Sequence, residues 1–159
     1  MTAAHEVQFR IAGAEDAGTL ADMRLAFLCD TGFAGRNSCG LELKKTAEGY
    51  FLRHIEDCSY IPILGCMNGI YVCCAGILLY ELPPFNAGEK RIQGHVLNFY
   101  VIPEAGGKGV GTAMMEYLIA HARTINIKRL FLNATPAGEA LYRKLGFHGP
   151  GETTLILDI

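Results

Sequence analysis

Apolar positions along the chain change period several times, and each change predicts an element. Val7 to Ala12 (VQFRIA) alternates with period two and predicts a first strand. Glu15-Asp16 opens a helix, acids in a first turn being favoured by the dipole, with Leu20, Met23, Phe27 and Leu28 as its stripe. A second helix, Leu41 to Asp57, carries Leu43, Ala47, Phe51 and Ile55 at four-residue spacing. Tyr60 to Met67 and Ile70 to Leu82 read as two strands joined by Asn68-Gly69, a pair that tolerates the positive φ of a tight hairpin. Pro83-Pro84 and Gly88 mark a long loop. Val96 to Ile102 is an almost unbroken apolar run, the mark of a central strand covered on both faces, and Pro103 ends it. After a glycine-rich turn, Met114, Met115, Leu118, Ile119 and Ala122 line one side of a third helix. Lys128 to Ala134 is a strand parallel to the central one, because a helix connects them. A helix from Ala137 to Leu145, capped by Gly146, and an alternating final strand from Glu152 to Ile159 complete the chain. The order βααββ–βαβαβ predicts an α/β (α+β) fold, a mixed sheet with helices on both faces, and one domain over residues 1–159.

Composition narrows the class. A chain of 159 residues buries about 70% of its unfolded surface and requires no second domain. A net charge of −2 and a pI near 6.2 give no electrostatic footprint for nucleic acid or an anionic membrane. Ile70 to Tyr80, the longest apolar run, is about half of a membrane span, and His5 and Glu6 interrupt the N-terminus where a signal peptide would be apolar. A cytoplasmic location is expected. Six cysteines form no C-x-x-C pair, so no metal is expected and all six are read as reduced thiols. Adjacent Cys73 and Cys74 should point to opposite faces of their strand.

The candidate chemistry lies at the turn after the central strand, Gly106-Gly107-Lys108-Gly109-Val110-Gly111-Thr112. Strand, glycine turn and helix N-terminus together form an anion site: free N–H groups point outward and glycine admits a phosphate close to the main chain. The spacing excludes two phosphate motifs. Thr112-Ala113 follows Gly111 where a P-loop needs Lys-Ser/Thr, and glycines at 107, 109 and 111 alternate instead of following G-x-G-x-x-G. An ordinary strand-to-helix turn is the bland alternative.

A second motif, Ala140-Leu141-Tyr142-Arg143-Lys144-Leu145-Gly146-Phe147, follows downstream. Together with Leu97-Asn98-Phe99-Tyr100-Val101-Ile102-Pro103 and the glycine turn, it resembles the GNAT superfamily of acyl-CoA-dependent N-acetyltransferases. The likeness is close over residues 95–148 and extends only to element order before that. Two departures stand out: Gly106 occupies the family's Gln/Arg position, and Thr135 stands where many members have Asn.

The resemblance implies an acetyltransferase working by direct attack of an amine on the thioester of acetyl-CoA. It implies that Gly106 to Thr112 hold the pyrophosphate, and that the pantetheine arm lies along Phe99, Tyr100 and Val101, with a backbone N–H near Val101 polarising the acetyl carbonyl. Tyr142 is then the general acid for the leaving sulfur, or, on the plainer reading, a packing residue. His95 is a candidate base or a structural histidine, and should share a face with Leu97 and Phe99 unless a bulge intervenes. Asn98 is a candidate for orienting a water. Asn133 either binds the pantetheine or forms a turn. Phe33 and Tyr50 are candidates for the acceptor pocket, with core packing the alternative for Tyr50. Glu81 either binds a cationic acceptor or is a rim carboxylate. Arg24 is either solvated or reaches the acceptor. The expected acceptor is a small-molecule amine or a peptide or protein amine, and a homodimer is compatible with this reading. A non-catalytic acyl-CoA sensor is the rival class, and a nucleotide-phosphate enzyme is disfavoured by the missing P-loop lysine.

Overall fold

The computed structural model describes residues 6–33, 40–151 and 155–159. Five strands form one mixed sheet in chain order: β1 (Gln8–Ile11), β2 (Tyr60–Met67), β3 (Ile70–Leu82), β4 (Arg91–Val101) and β5 (Leu130–Phe131). The first four run antiparallel to their neighbours, and β5 runs parallel to β4. Asn68 and Gly69, with φ of 53° and 79°, make the β2–β3 hairpin that their sequence predicts.

The helices are α1 (Ala17–Thr31), α2 (Leu41–Glu56), α3 (Val110–Thr124) and α4 (Pro136–Lys144). Both faces of the sheet are covered. Leu20, Met23 and Phe51 of α1 and α2 pack with Tyr60, Leu64, Cys74 and Tyr100 on one face. Met114, Met115 and Leu118 of α3 pack with Ile63, Cys73, Ile77 and Val96 on the other. Full burial of each such aliphatic side chain is worth about 1.5–3 kcal/mol, which makes these two layers the fold's main support. Cys73 and Cys74 do point to opposite faces, and burial pushes the Cys73 thiol up to about 12. Cys29 departs from the expected reduced state, because it is disulfide-bonded.

The structure differs from expectation at the C-terminal end. The strand predicted over residues 128–134 is only Leu130–Phe131, since its ladder to β4 is confined to Gly94↔Leu130 and His95↔Phe131. The final strand predicted over residues 152–159 is not formed in its described part: residues 155–159 have no secondary structure, and Leu155, Ile156 and Leu157 are over 80% exposed. Residues 152–154 lie outside the described residues. Alternation supplies a strand-like pattern, but a strand also needs a ladder, and a two-residue edge offers few groups to pair with.

Candidate active site

The centre of the site is an irregularity in β4. Leu97 pairs with Gly76 and Tyr100 with Cys74, so Asn98 and Phe99 on β4 oppose Ala75 alone on β3. Asn98 has φ of 54°, in the left-handed region that Asn tolerates better than β-branched or aromatic residues. This β-bulge reverses the strand's facing. Before it, Val96 packs toward α3; after it, Phe99 and Val101 do, while Leu97 and Tyr100 face α1 and α2. His95 therefore does not share a face with Phe99, correcting the simple alternation, because the extra residue shifts the phase by one.

The bulge leaves open backbone. Pairing with β5 ends at His95, yet β4 runs on to Val101. From Val96 onward the β5-facing edge of β4 has no ladder partner among the described residues. Beyond it, Pro103–Ala105 make one 3-10 turn and the chain enters Gly106–Gly109. Gly107 and Gly109 have φ of 70° and 80°, and Gly109 is the N-cap of α3, so no side chain screens its first N–H groups. Lys108 turns away, its Nζ donating to the Glu104 carbonyl at 2.7 Å. A Cβ at Gly106 would sit 3.1 Å from the Pro103 carbonyl oxygen, a tight approach for any residue other than glycine there. Val110 is buried, whereas Gly111 and Thr112 are half-exposed in the helix's first turn. A Cβ on Gly111 would contact Phe99, Leu141 and Val101 at 3.4–3.7 Å, so this glycine brings β4, α3 and α4 close together.

Tyr142 comes from α4, whose start is set by Thr135: its hydroxyl accepts from the Gly138 N–H at 3.3 Å, a capping role for the residue that departs from the family's Asn. The Gly146 N–H to Arg143 and Phe147 N–H to Tyr142 bonds close its C-terminus, with Gly146 at φ of 95°. The Tyr142 ring stands edge-on to Phe99 at 5.8 Å and to Phe147 at 6.0 Å. Desolvation raises its pKa, so the hydroxyl keeps its proton at neutral pH. Tyr142 and exposed Asn133 line one groove of about 940 Å³ beside the outer edge of β5.

His95 is half-buried and stacks on Phe131, centroids 4.2 Å apart. Its Nε2 is buried without a partner, and desolvation lowers its pKa. Asn98 is buried: its Nδ2 donates to Cys74 Sγ at 3.6 Å, the Cys74 thiol donates to its carbonyl at 3.2 Å, and its Oδ1 has no partner.

On the α1–α2 face the Tyr100 hydroxyl donates to the Asp30 carboxylate, a contact the sequence reading missed. Tyr100 stands edge-on to Phe27 at 6.1 Å, and Phe27 stacks with Phe33 at 6.0 Å. Phe33 is 70% exposed and Tyr50 is half-buried against Phe51, His54 and Tyr60. Arg24 is half-buried with its guanidinium 5.2 Å from the centre of the Phe27 ring. Glu81 is exposed on β3 opposite Ile92, away from this group. Among the described residues no cluster of three His, Cys, Asp or Glu side chains could hold a metal, and no helix is long and apolar enough to cross a membrane.

Comparison with known proteins agrees with this geometry. Residues 34–147 match the family model described as acetyltransferase (GNAT) family. A predicted acetyltransferase from Clostridium acetobutylicum, solved with acetyl-CoA, superposes with a TM-score of 0.81 at 24% identity, over 95% of this chain and 96% of that one. A GCN5-related N-acetyltransferase from Ralstonia eutropha gives 0.74 at 25% identity, over 95% and 98%. Glucosamine-6-phosphate N-acetyltransferase from Arabidopsis thaliana gives 0.68 at 13% identity, over 96% and 97%. No curated protein matches the sequence.

Proposed function

Because this chain belongs to the GNAT acetyltransferase family and is an acetyl-CoA-dependent acyltransferase of that class, we propose that it acetylates a primary amine by direct attack, with Tyr142 as general acid. One observation carries the reading: Tyr142 packs against Phe99 within the stretch of β4 whose edge has lost its β5 ladder, and α3 begins just beyond that stretch. On this reading Gly107, Gly109 and the first N–H groups of α3 bind the pyrophosphate, and the open edge of Phe99 to Val101 pairs with the pantetheine amides. Asn133, exposed just beyond β5, hydrogen-bonds the pantetheine arm on this reading, although the groove it shares with Tyr142 does not reach Phe99 to Val101.

The reaction balances simply. The amine nitrogen attacks the acetyl carbon, its lone pair forming the new C–N bond, and a backbone N–H near Val101 stabilises the oxyanion. The C–S bond breaks, and the Tyr142 hydroxyl gives its proton to the thiolate. The proton lost by the amine passes along a chain of waters, with His95, six residues back along β4, as its acceptor. The Asn98 carboxamide is too buried to meet the substrate directly, so its role is to hold the bulge that aims Phe99 and Val101.

The test is single-turnover release of free thiol from acetyl-CoA across a panel of amines, with wild type and Tyr142→Phe compared on the best acceptor. The variant keeps the ring and its packing but loses the proton donor. Transfer should slow by about a hundredfold or more, while acetyl-CoA affinity stays within about threefold (about 0.65 kcal/mol). Transfer at the wild-type rate would reduce Tyr142 to a packing residue. Coenzyme A binding with no thiol release for any amine would replace the enzyme by an acyl-CoA sensor.

A further inference from the structure

Arg24 is a half-buried arginine with no hydrogen-bond acceptor among the described residues. A guanidinium presents five N–H donors and no acceptor, so when it leaves water it normally meets a carbonyl or carboxylate. The other half-buried arginine of the sheet region, Arg91, donates to the Pro83 carbonyl at 2.7 Å while stacking on Phe85. Arg24 stacks in a similar way on Phe27, yet no described group accepts from it. Two carboxylates of the same helix are committed elsewhere. Asp22 pairs with Lys44 at 2.5 Å, and Asp30 receives the Tyr100 hydroxyl.

The surroundings of Arg24 point the same way. Its electrostatic influence extends to Tyr50, Tyr60 and Cys74 across the space between α1, α2 and the sheet. The Tyr60 hydroxyl there is buried and has no hydrogen-bond partner. It lies over Gly76, opposite the start of the bulge, where an added Cβ would fall 2.0 Å from it. Cys74 bonds directly to Asn98 within the bulge. Phe27 and Tyr100, in ring contact with each other, thus link Arg24 to the proposed reacting stretch of β4. Phe27 and outward-lying Phe33 provide an apolar wall at the rim.

We propose that Arg24 binds a carboxylate of the acceptor, so that the acceptor is a small amine of the amino-acid type with an apolar side chain against Phe27 and Phe33. The proposal rests on the amine-acetylating reading of the same site. A planar guanidinium grips a carboxylate at two points, placing the amine a short, defined distance away toward β4.

The experiment uses pairs of probes that differ only in the carboxylate: leucine with leucinamide, and phenylalanine with phenylalaninamide. Thiol release gives kcat/KM for each, and calorimetric titration into the coenzyme A-loaded protein gives affinities independently of turnover. In wild type the acid should be preferred over its amide by at least about tenfold in both readouts, the scale of a charge-assisted bidentate bond. In Arg24→Gln that ratio should fall to within about twofold of unity, while the acetyl-CoA dissociation constant does not move. Arg24→Lys, which keeps the charge and loses the fork, should retain an intermediate preference and covers the case in which the glutamine variant does not fold. Acid and amide used and bound equally by wild type, no measurable binding of either, or a preference that survives Arg24→Gln would each overturn the proposal. Carboxylate-dependent binding without any thiol release would uphold the Arg24 site and sink the transferase reading instead.

Discussion

At the scale of single residues, His95 shows how position sets chemistry. It sits on a strand with one ring face covered by Phe131, and the cost of charging it there lowers its pKa below the ordinary value near 6.5. The imidazole is therefore neutral, and able to accept a proton, throughout the neutral range. If it removes the acceptor's proton, the acid limb of kcat/KM should lie below about pH 6.5, and His95→Gln should remove that limb. The same shift has a stability consequence of defined sign. A group whose folded pKa is depressed binds fewer protons in the native than in the unfolded state, so it destabilises the fold as pH falls below the unfolded value. Wild type should lose stability relative to His95→Gln as the pH falls below about 6.5, as read by denaturant midpoints. Identical pH–rate profiles would assign deprotonation to water or to the amine itself. The sequence could place His95 on the central strand, but not say whether it shares a face with Phe99, since that depended on the bulge that intervenes at Asn98.

At the scale of elements, the glycine turn and α3 act as one device. Gly109 takes a left-handed conformation as the N-cap, which leaves the first amides of α3 unscreened. Asp and Asn tolerate that backbone better than other side chains, and they differ in charge. Gly109→Asp and Gly109→Asn therefore make comparable backbone demands, and their difference isolates electrostatics. Coenzyme A should bind the Asp variant at least tenfold more weakly than the Asn variant, about 1.4 kcal/mol or more. Equal affinities by titration would move the pyrophosphate away from this turn. The element could be read in advance because all its signals are local: a proline stop, alternating glycines, then a 3.6-residue stripe. The bulge carried a fainter local signal, an Asn inside Leu97-Asn98-Phe99-Tyr100, since Asn is poor in strands but tolerant of positive φ.

At the scale of the molecule, two helical layers hold a sheet whose β4 and β5 part company after His95, leaving the edge of β4 open up to the glycine turn that starts α3. A ligand that spans this opening binds only the folded state and stabilises it by mass action. At about one hundred times its dissociation constant the gain is about 2.7 kcal/mol, or roughly 5–10 °C for a chain of this size. Coenzyme A should produce such a shift in Tm, and ATP should produce much less, because it has phosphates but no arm to lie along β4. Equal stabilisation by the two would count against the acyl-CoA site.

What this sequence determines alone is whatever neighbouring residues decide among themselves. The hairpin at Asn68-Gly69, the four helices, the end of the central strand at Pro103 and the glycine turn before α3 all follow from local φ preferences and apolar period. So does the motif around Tyr142, which carried the family resemblance. Tertiary structure decided the rest, because the deciding partner was distant in the chain. The register between β3 and β4 inserts the bulge and turns His95 away from Phe99. The two-residue ladder to β5 leaves the strand pattern at residues 155–159 without a partner, so alternation there produced no strand. The packing of α1 over β4 brings Asp30 to Tyr100 and holds Arg24 against Phe27, while the buried Tyr60 hydroxyl is left with no hydrogen-bond partner.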